Sequence, residues 1–133
     1  MVETKLKLVE PNVGGDFGLW FRAPVGPGGC SFKAPTEENS RYFKLTCDDG
    51  SGFEDKLISE SSIVDGYYEI ILIVIGDKAK GYVNDEEIGV LLNIEFISRY
   101  TGFWVGSGDL RAGTQVAVDY IKVWNLEGVD IDL

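Results

Sequence analysis

Histidine is absent from this chain, which removes the commonest general base and the commonest metal ligand together. Zinc sites built on imidazole, and Ser-His-Asp or Cys-His nucleophiles, are thereby excluded, and any chemistry falls to carboxylates, lysines or tyrosines. Long apolar runs are missing as well: the longest, Ile70 to Ile75, is far short of the ~20 residues a membrane helix needs. The N-terminus alternates charge with Leu and Val where a signal peptide would carry an apolar core, so the chain reads as soluble, with any export signal removed or never present. Basic residues are scarce. Twelve Lys and Arg stand against twenty-two Asp and Glu, a formal charge of −10 that repels phosphate backbones and anionic lipid, so neither nucleic acid nor membrane insertion is expected. Cysteine is limited to Cys30 and Cys47, without CxxC spacing; they bridge a glycine-rich loop to a strand end if the protein is exported, or stay ordinary thiols if it is not.

What is present suits one compact unit. The 133 residues are a single domain's worth, residues 1–133 without a visible linker, and seventeen glycines mark a turn-rich chain able to bury a core without metals or disulfides. Thr4 to Val9 sets Lys5 and Lys7 against Leu6 and Leu8, the period-two signature of a half-buried strand. Phe17, Leu19 and Phe21 then share one face, with Gly18, Trp20 and Arg22 on the other. Pro24 to Asn39 holds three of the four prolines and reads as a long surface loop. Arg41 to Cys47 alternates again and, across the Asp48-Asp49-Gly50-Ser51-Gly52 turn, forms a hairpin with Phe53 to Ile58.

Ile70 to Ile75 is apolar on both faces and is expected to be a central strand covered on each side. Gly76-Asp77 makes a tight turn into Lys78 to Val83, whose Ala79, Gly81 and Val83 face the core while Lys78, Lys80 and Tyr82 stay wet. Asn84-Asp85 is the next two-residue hairpin turn, since both residues tolerate positive φ. Gly89 to Tyr100 has no clean helical stripe and reads as strand or irregular segment. In the last strand Val116 and Val118 fall on one parity, Ile121 and Val123 on the other. All four point inward only if an extra residue is inserted near Asp119-Tyr120, which predicts a β-bulge with Asp119 pinning it.

The order of these pieces resembles the concanavalin A-like lectin and glucanase jelly rolls, a superfamily that includes laminin-G-like and carbohydrate-binding members. The resemblance rests on Asp16-Phe17-Gly18-Leu19-Trp20-Phe21-Arg22, on Tyr42 to Gly50, on Val74-Ile75-Gly76-Asp77 leading to Tyr82-Val83-Asn84, and on Val118-Asp119-Tyr120-Ile121-Lys122-Val123. It implies an all-β, antiparallel two-sheet sandwich. Members usually begin with one or two further strands, which would lie before Val2; their absence here implies an open sheet edge that a second copy of the chain or a neighbouring domain fills. The Asn-Gly expected after Tyr-Val is Asn84-Asp85 in this chain.

The resemblance also implies two chemistries to look for. Glycanases of the group carry Glu-x-Asp-x-x-Glu on one strand, pairing two carboxylates ~5 Å apart across the sugar. That spacing does not occur, and Asp48-Asp49, Glu54-Asp55 and Asp85-Glu86-Glu87 sit at or beside turns, so no glycoside hydrolase and no catalytic residue is expected. Related jelly rolls often hold a structural calcium ion; Asp48, Asp49, Asp109 and Asp119 are the candidate ligands, with turn formation as the alternative role of each. Otherwise no cofactor is expected.

Sugar binding needs flat aromatic faces beside planar polar groups. Trp20 and Arg22 on one strand, Trp104 on another, and Tyr42, Lys44 and Tyr82 are the candidate carbohydrate-binding residues of one concave sheet. The alternative is that both tryptophans are core residues. Trp124 reads as an edge-packing residue. The expected function is a non-catalytic, lectin-like module for a glycan or polysaccharide, extracellular or at the cell surface. The competing expectation is a structural or protein-interaction sandwich that assembles through an open edge as a homodimer or with a neighbouring domain, and a third is an intracellular enzyme subunit.

Overall fold

The computed structural model describes residues 1–10, 14–23, 29–37, 40–48, 53–94, 100–105, 115–126, 128 and 130; the side chains of Glu10, Ala23, Tyr100, Phe103, Trp104 and Val105 are not among those described. Ten strands are seen: β1 (Val2–Glu10), β2 (Asp16–Ala23), β3 (Cys30–Pro35), β4 (Tyr42–Cys47), β5 (Phe53–Leu57), β6 (Tyr67–Ile75), β7 (Lys78–Val83), β8 (Glu86–Leu91), β9 (Tyr100–Val105) and β10 (Gln115–Val123). They form two antiparallel five-stranded sheets, ordered β10-β1-β6-β7-β8 and β5-β4-β3-β2-β9. The first strand is interior to its sheet, between β10 and β6.

The sheets press together over Phe17, Phe32, Phe43 and Tyr68, whose ring centroids lie 5.3–6.5 Å apart in tilted and edge-on pairs, the geometry aromatic quadrupoles favour. Leu6, Leu19, Leu45, Ile70 and Leu72 fill the space around them. Period two decides which residues enter: on β7, Ala79, Gly81 and Val83 are buried as their parity requires. Gly81 has a particular reason to be glycine, because a Cβ there would stand 2.8 Å from the Phe32 ring on the opposite sheet. Gly18 on β2 is held more tightly still, against the Phe32 carbonyl of its paired strand.

Two expectations change here. The stretch read as one long surface loop contains β3, a strand in the middle of its sheet, with Cys30, Phe32 and Ala34 inward. Its six residues alternate as a strand should, and the flanking Pro and Gly masked the alternation; Pro35 closes the strand, where a missing N–H costs least. Residues 24–28 and 38–39 lie outside the described residues. On β6 Tyr68, Ile70, Leu72 and Val74 face the core, while Ile71 and Ile73 are half-buried on the outer face, beside Tyr82 and Lys80 of β7.

The bulge is where parity demanded it. Lys5 pairs with Tyr120 and Leu6 with Val118, leaving Asp119 unpaired. The contact that pins it is the Thr4 hydroxyl, which donates to the freed Tyr120 carbonyl at 2.7 Å, whereas Asp119 faces solvent. Val116, Val118, Ile121 and Val123 stand in register with Leu8, Leu6, Thr4 and Val2 and so share the inner side. Burial does not follow, since Val118 and Ile121 are each 44% exposed and Val123 66% on this edge strand. The other lateral end is closed by charge: Lys56 of β5 reaches Glu86 of β8, and the Glu54 side chain packs where a Cβ on Gly89 would sit.

Candidate functional site

The outer face of the β5-β4-β3-β2-β9 sheet collects most of the aromatic candidates. Trp20 is half-buried there, with Gly102 on one side of it and Ser31 on the other. Both register neighbours are small, and Ser31 beside the indole is buried. Tyr42 and Lys44 lie on the same face of β4, the Lys44 ammonium 5.3 Å from the Tyr42 ring centroid, a cation–π contact that keeps the ring upright. Between them Lys33 forms a 2.8 Å ion pair with Asp16. Trp104 sits opposite Gly18 in the same sheet; its side chain is outside the described residues.

Arg22 and Tyr82 do not join this group. A register shift between Phe21 and Ala23 gives Arg22 a φ of 51°, and its guanidinium reaches across to donate to the Gly76 carbonyl at 2.7 Å. Tyr82 belongs to β7 of the other sheet, where Lys80 lies 5.4 Å from its ring and 3.6 Å from Glu87. Like parity in the sequence cannot tell which sheet a strand enters, so one expected surface separates into two.

The outer face of the second sheet holds residues that sequence patterning did not single out. Tyr67 has the Lys5 and Lys7 ammonium groups 5.0 and 5.4 Å from its ring. Tyr120 donates to Glu3 Oε1 at 2.8 Å and lies 3.3 Å from Glu69 Oε2. Burial, followed by the hydrogen bond to Glu3 and the charge of Glu69, pushes its phenol well above the usual tyrosine range. Beside them a pocket of about 460 Å³ is lined by Lys5, Ser62, Val64, Asp65, Tyr67, Glu69, Asn84 and Asp85. The signal in the sequence was the Asp65-Gly66 pair, a positive-φ turn like Asn84-Asp85.

The walls of this pocket are tied down. Ser59 N–H donates to Glu86 Oε1 at 2.9 Å, fixing the segment that leads to the 3-10 turn at Glu60–Ser62. A side-chain hydrogen bond from Ser59, followed by this backbone bond, holds the Glu86 carboxyl below its ordinary range. Asn84 and Glu69 exchange two bonds, Asn84 N–H to the Glu69 carbonyl at 2.9 Å and Glu69 N–H to Asn84 Oδ1 at 2.7 Å. This commits Oδ1 as acceptor and leaves Nδ2 as a donor, buried and without a partner among the described residues.

Of the candidate calcium ligands, the two among the described residues, Asp48 and Asp119, stand on different sheets. Asp48 is exposed in the turn after β4, its N–H donating to the Gly29 carbonyl at 2.9 Å, and Asp119 is the bulge residue at the edge of the other sheet. Asp49 and Asp109 lie outside the described residues. Among the described residues no group of three or more Asp, Glu, His or Cys is placed to hold a metal ion. Cys30 and Cys47 are directly opposite on β3 and β4 and are joined by a disulfide.

No family model matches the sequence, and no curated protein matches it. Solved structures do. Carbohydrate-binding module CBM66 from Bacillus subtilis superposes with a TM-score of 0.57 at 14% identity over 90% of this chain and 71% of that one. A native glycosidic hydrolase gives 0.59 at 14% identity, over 90% and 62%. The kappa-carrageenase from Pseudoalteromonas carrageenovora, crystallised with an oligotetrasaccharide of kappa-carrageenan, gives 0.58 at 13% identity, over 90% and 61%. The chain thus spans about three fifths of the length of the two enzymes. At such identities the likeness concerns architecture, and with the strand order above it establishes that this chain has the concanavalin A-like jelly-roll fold.

Proposed function

We propose that this domain is a non-catalytic carbohydrate-binding module whose platform is the outer face of the β5-β4-β3-β2-β9 sheet. The observation that carries this reading is Trp20, outward on its strand and flanked in register by Gly102 and Ser31. The outward part of this half-buried indole would meet the C–H patches of a sugar, with the Lys44 ammonium and the Lys33–Asp16 ion pair on the same face beside it. Tyr42, two strands away from Trp20, extends the surface to ~16 Å by strand spacing and rise, long enough for a chain of several sugars. That the similar structures include a carbohydrate-binding module and a carrageenase bound to its oligosaccharide supports the same reading.

Catalysis is left out of the proposal for a geometric reason. Among the described residues Glu3 and Glu69 meet around one group, the Tyr120 hydroxyl, which fills the space between them where a glycosidic oxygen would have to lie. An extracellular or cell-surface setting is proposed with it, because a disulfide persists in oxidising compartments. Glycan-array screening tests the module: wild-type protein binds at least one glycan, and Trp20→Ala binds it at least tenfold more weakly, ~1.4 kcal/mol, with an unchanged circular dichroism spectrum. No wild-type signal, or undiminished binding by the variant, refutes the platform.

A second reading, a domain that docks to another through its edge, is favoured by the exposed apolar side of β10 at Val118, Ile121 and Val123. Light scattering separates it: a stable dimer without any glycan signal supports docking and opposes the module.

A further inference from the structure

The edge strand of the platform sheet, β5, carries an aromatic ring that the function argued above does not use. Phe53 is 57% exposed, on the side of β5 away from Glu54 and Lys56, whose side chains meet the other sheet. We infer that Phe53 is the second stacking residue of the platform, so that a bound glycan lies across the strands from Trp20 to Phe53 and must be longer than a disaccharide. The inference rests on the carbohydrate-binding reading and adds to it a residue, a chain direction and a minimum ligand length.

Register places the two rings in one row. Trp20 pairs with Ser31, Ser31 with Thr46 and Thr46 with Phe53, so a line drawn straight across the sheet joins the rings over three strand spacings, ~14 Å. No charged residue stands on that line. Ser31 is buried and Thr46 half-buried, and both are short, so neither rises between the rings. The next row along the strands differs: Asp55, Lys44 and Lys33 stand in register there, with Asp16 2.8 Å from Lys33. A sugar chain over the uncharged row rests its C–H faces on carbon at both ends and leaves the water of the neighbouring ammonium and carboxylate groups in place, where stripping it would cost free energy.

The exposure of Phe53 is the second observation. Phenylalanine has no polar atom to hold in water, and a ring left more than half exposed at the end of a row that begins with an outward tryptophan is carbon surface waiting for a flat apolar partner. Tyr42, the other aromatic of β4 and β5 on this face, serves that purpose less well: the Lys44 ammonium lies 5.3 Å from its ring centroid, and its row ends on Leu57, which cannot stack. Nor does a second copy of the chain suit the edge. Antiparallel pairing of β5 with itself, centred on Asp55, would set two carboxylates directly opposite each other, a destabilising arrangement.

The test is a chemical-shift titration of ¹⁵N-labelled protein with cello-, xylo-, laminari- and kappa-carrageenan oligosaccharides, each as the disaccharide and the hexasaccharide. At least one hexasaccharide is expected to bind at least tenfold more tightly than its disaccharide and to shift the amides of residues 53–55 together with those of 19–21 and 45–47. Phe53→Ala is expected to bring that hexasaccharide down to the affinity of the disaccharide, Phe53→Tyr to keep the difference, and Trp20→Ala to weaken both lengths. Equal affinity for the two lengths, or a Phe53→Ala variant that keeps full hexasaccharide affinity or loses affinity for both lengths alike, overturns the inference and leaves the platform standing on the Trp20 result. No binding of any probe, or binding that Trp20→Ala does not weaken, overturns the platform and the inference together. A dimer in light scattering that Phe53→Ala dissociates also overturns the inference, because it assigns the ring to an interface between copies.

Discussion

Opening the bridge between Cys30 and Cys47 is the most direct way to weigh what one covalent link adds to this sandwich. Both sulfurs are buried, at 1% and 4% exposure, between strands that stay paired through Ser31–Thr46, Phe32–Leu45 and Lys33–Lys44 whether or not the link exists. Reduction therefore leaves two small buried thiols in an intact ladder, and the loss falls chiefly on the denatured side, where the chain regains the freedom of the enclosed loop. With a sequence separation of 17, loop-closure entropy sets that loss at about 3 kcal/mol. For a chain of this size the same figure lowers the melting temperature by about 10 °C and the urea midpoint by about 1.5 M. Urea unfolding followed by tryptophan fluorescence, with and without reductant, measures it. Coincident midpoints, or two thiols titrating in denaturant before any reductant is added, would refute the reasoning. The Cys30→Ala/Cys47→Ala pair should lose more than reduction does, because it also removes two buried sulfurs from the core.

Two further predictions follow from the packing and the phenols. Gly81→Ala places its methyl group against the Phe32 ring and should destabilise by about 1–3 kcal/mol; Phe32→Leu in that background should recover part of the loss, and strictly additive melting shifts would rule the contact out. Tyr68, buried with its hydroxyl donating to the Ser40 carbonyl at 2.6 Å, and Tyr120 both have phenols raised by burial. A raised phenol favours the folded state fully below the free tyrosine value of ~10 and progressively loses that contribution as pH rises above it. Absorbance at 295 nm should accordingly show a late-ionising fraction that shrinks in Tyr120→Phe; a single transition centred on pH 10 contradicts this.

Period-two burial made most of the fold legible, because a half-buried strand writes its environment into alternate residues. The Gly76-Asp77 turn and the β4–β5 hairpin followed from it, and so did the bulge, since Val118 and Ile121 cannot share a side without an extra residue. The same rule failed at β3, where Pro and Gly on both flanks outweighed the alternation of Cys30, Phe32 and Ala34. It failed at the site for another reason. Parity gives the side of a strand and carries no information about which sheet the strand joins, so Trp20 and Tyr82 looked equivalent although they lie on opposite outer faces. Arg22 was lost to a backbone irregularity that no pattern announces, and the Tyr120–Glu3–Glu69 cluster is assembled from three strands far apart in sequence.

The distribution of polar groups over the sandwich follows from where each edge has to stop. At the β5/β8 end, Lys56 and Glu86 form a pair that spans the two sheets, and inward-pointing charge of this kind discourages further strand pairing. At β10 no charge guards the inner side, and the strand is interrupted by the Asp119 bulge, which bends the edge away from a regular partner. An added strand would have to break its register at that residue, so the exposed Val118, Ile121 and Val123 suit a partner that covers side chains better than one that extends the sheet. Both outer faces lie away from these ends. A domain docked over β10 would therefore leave the Trp20 platform open, and glycan binding there is compatible with such attachment.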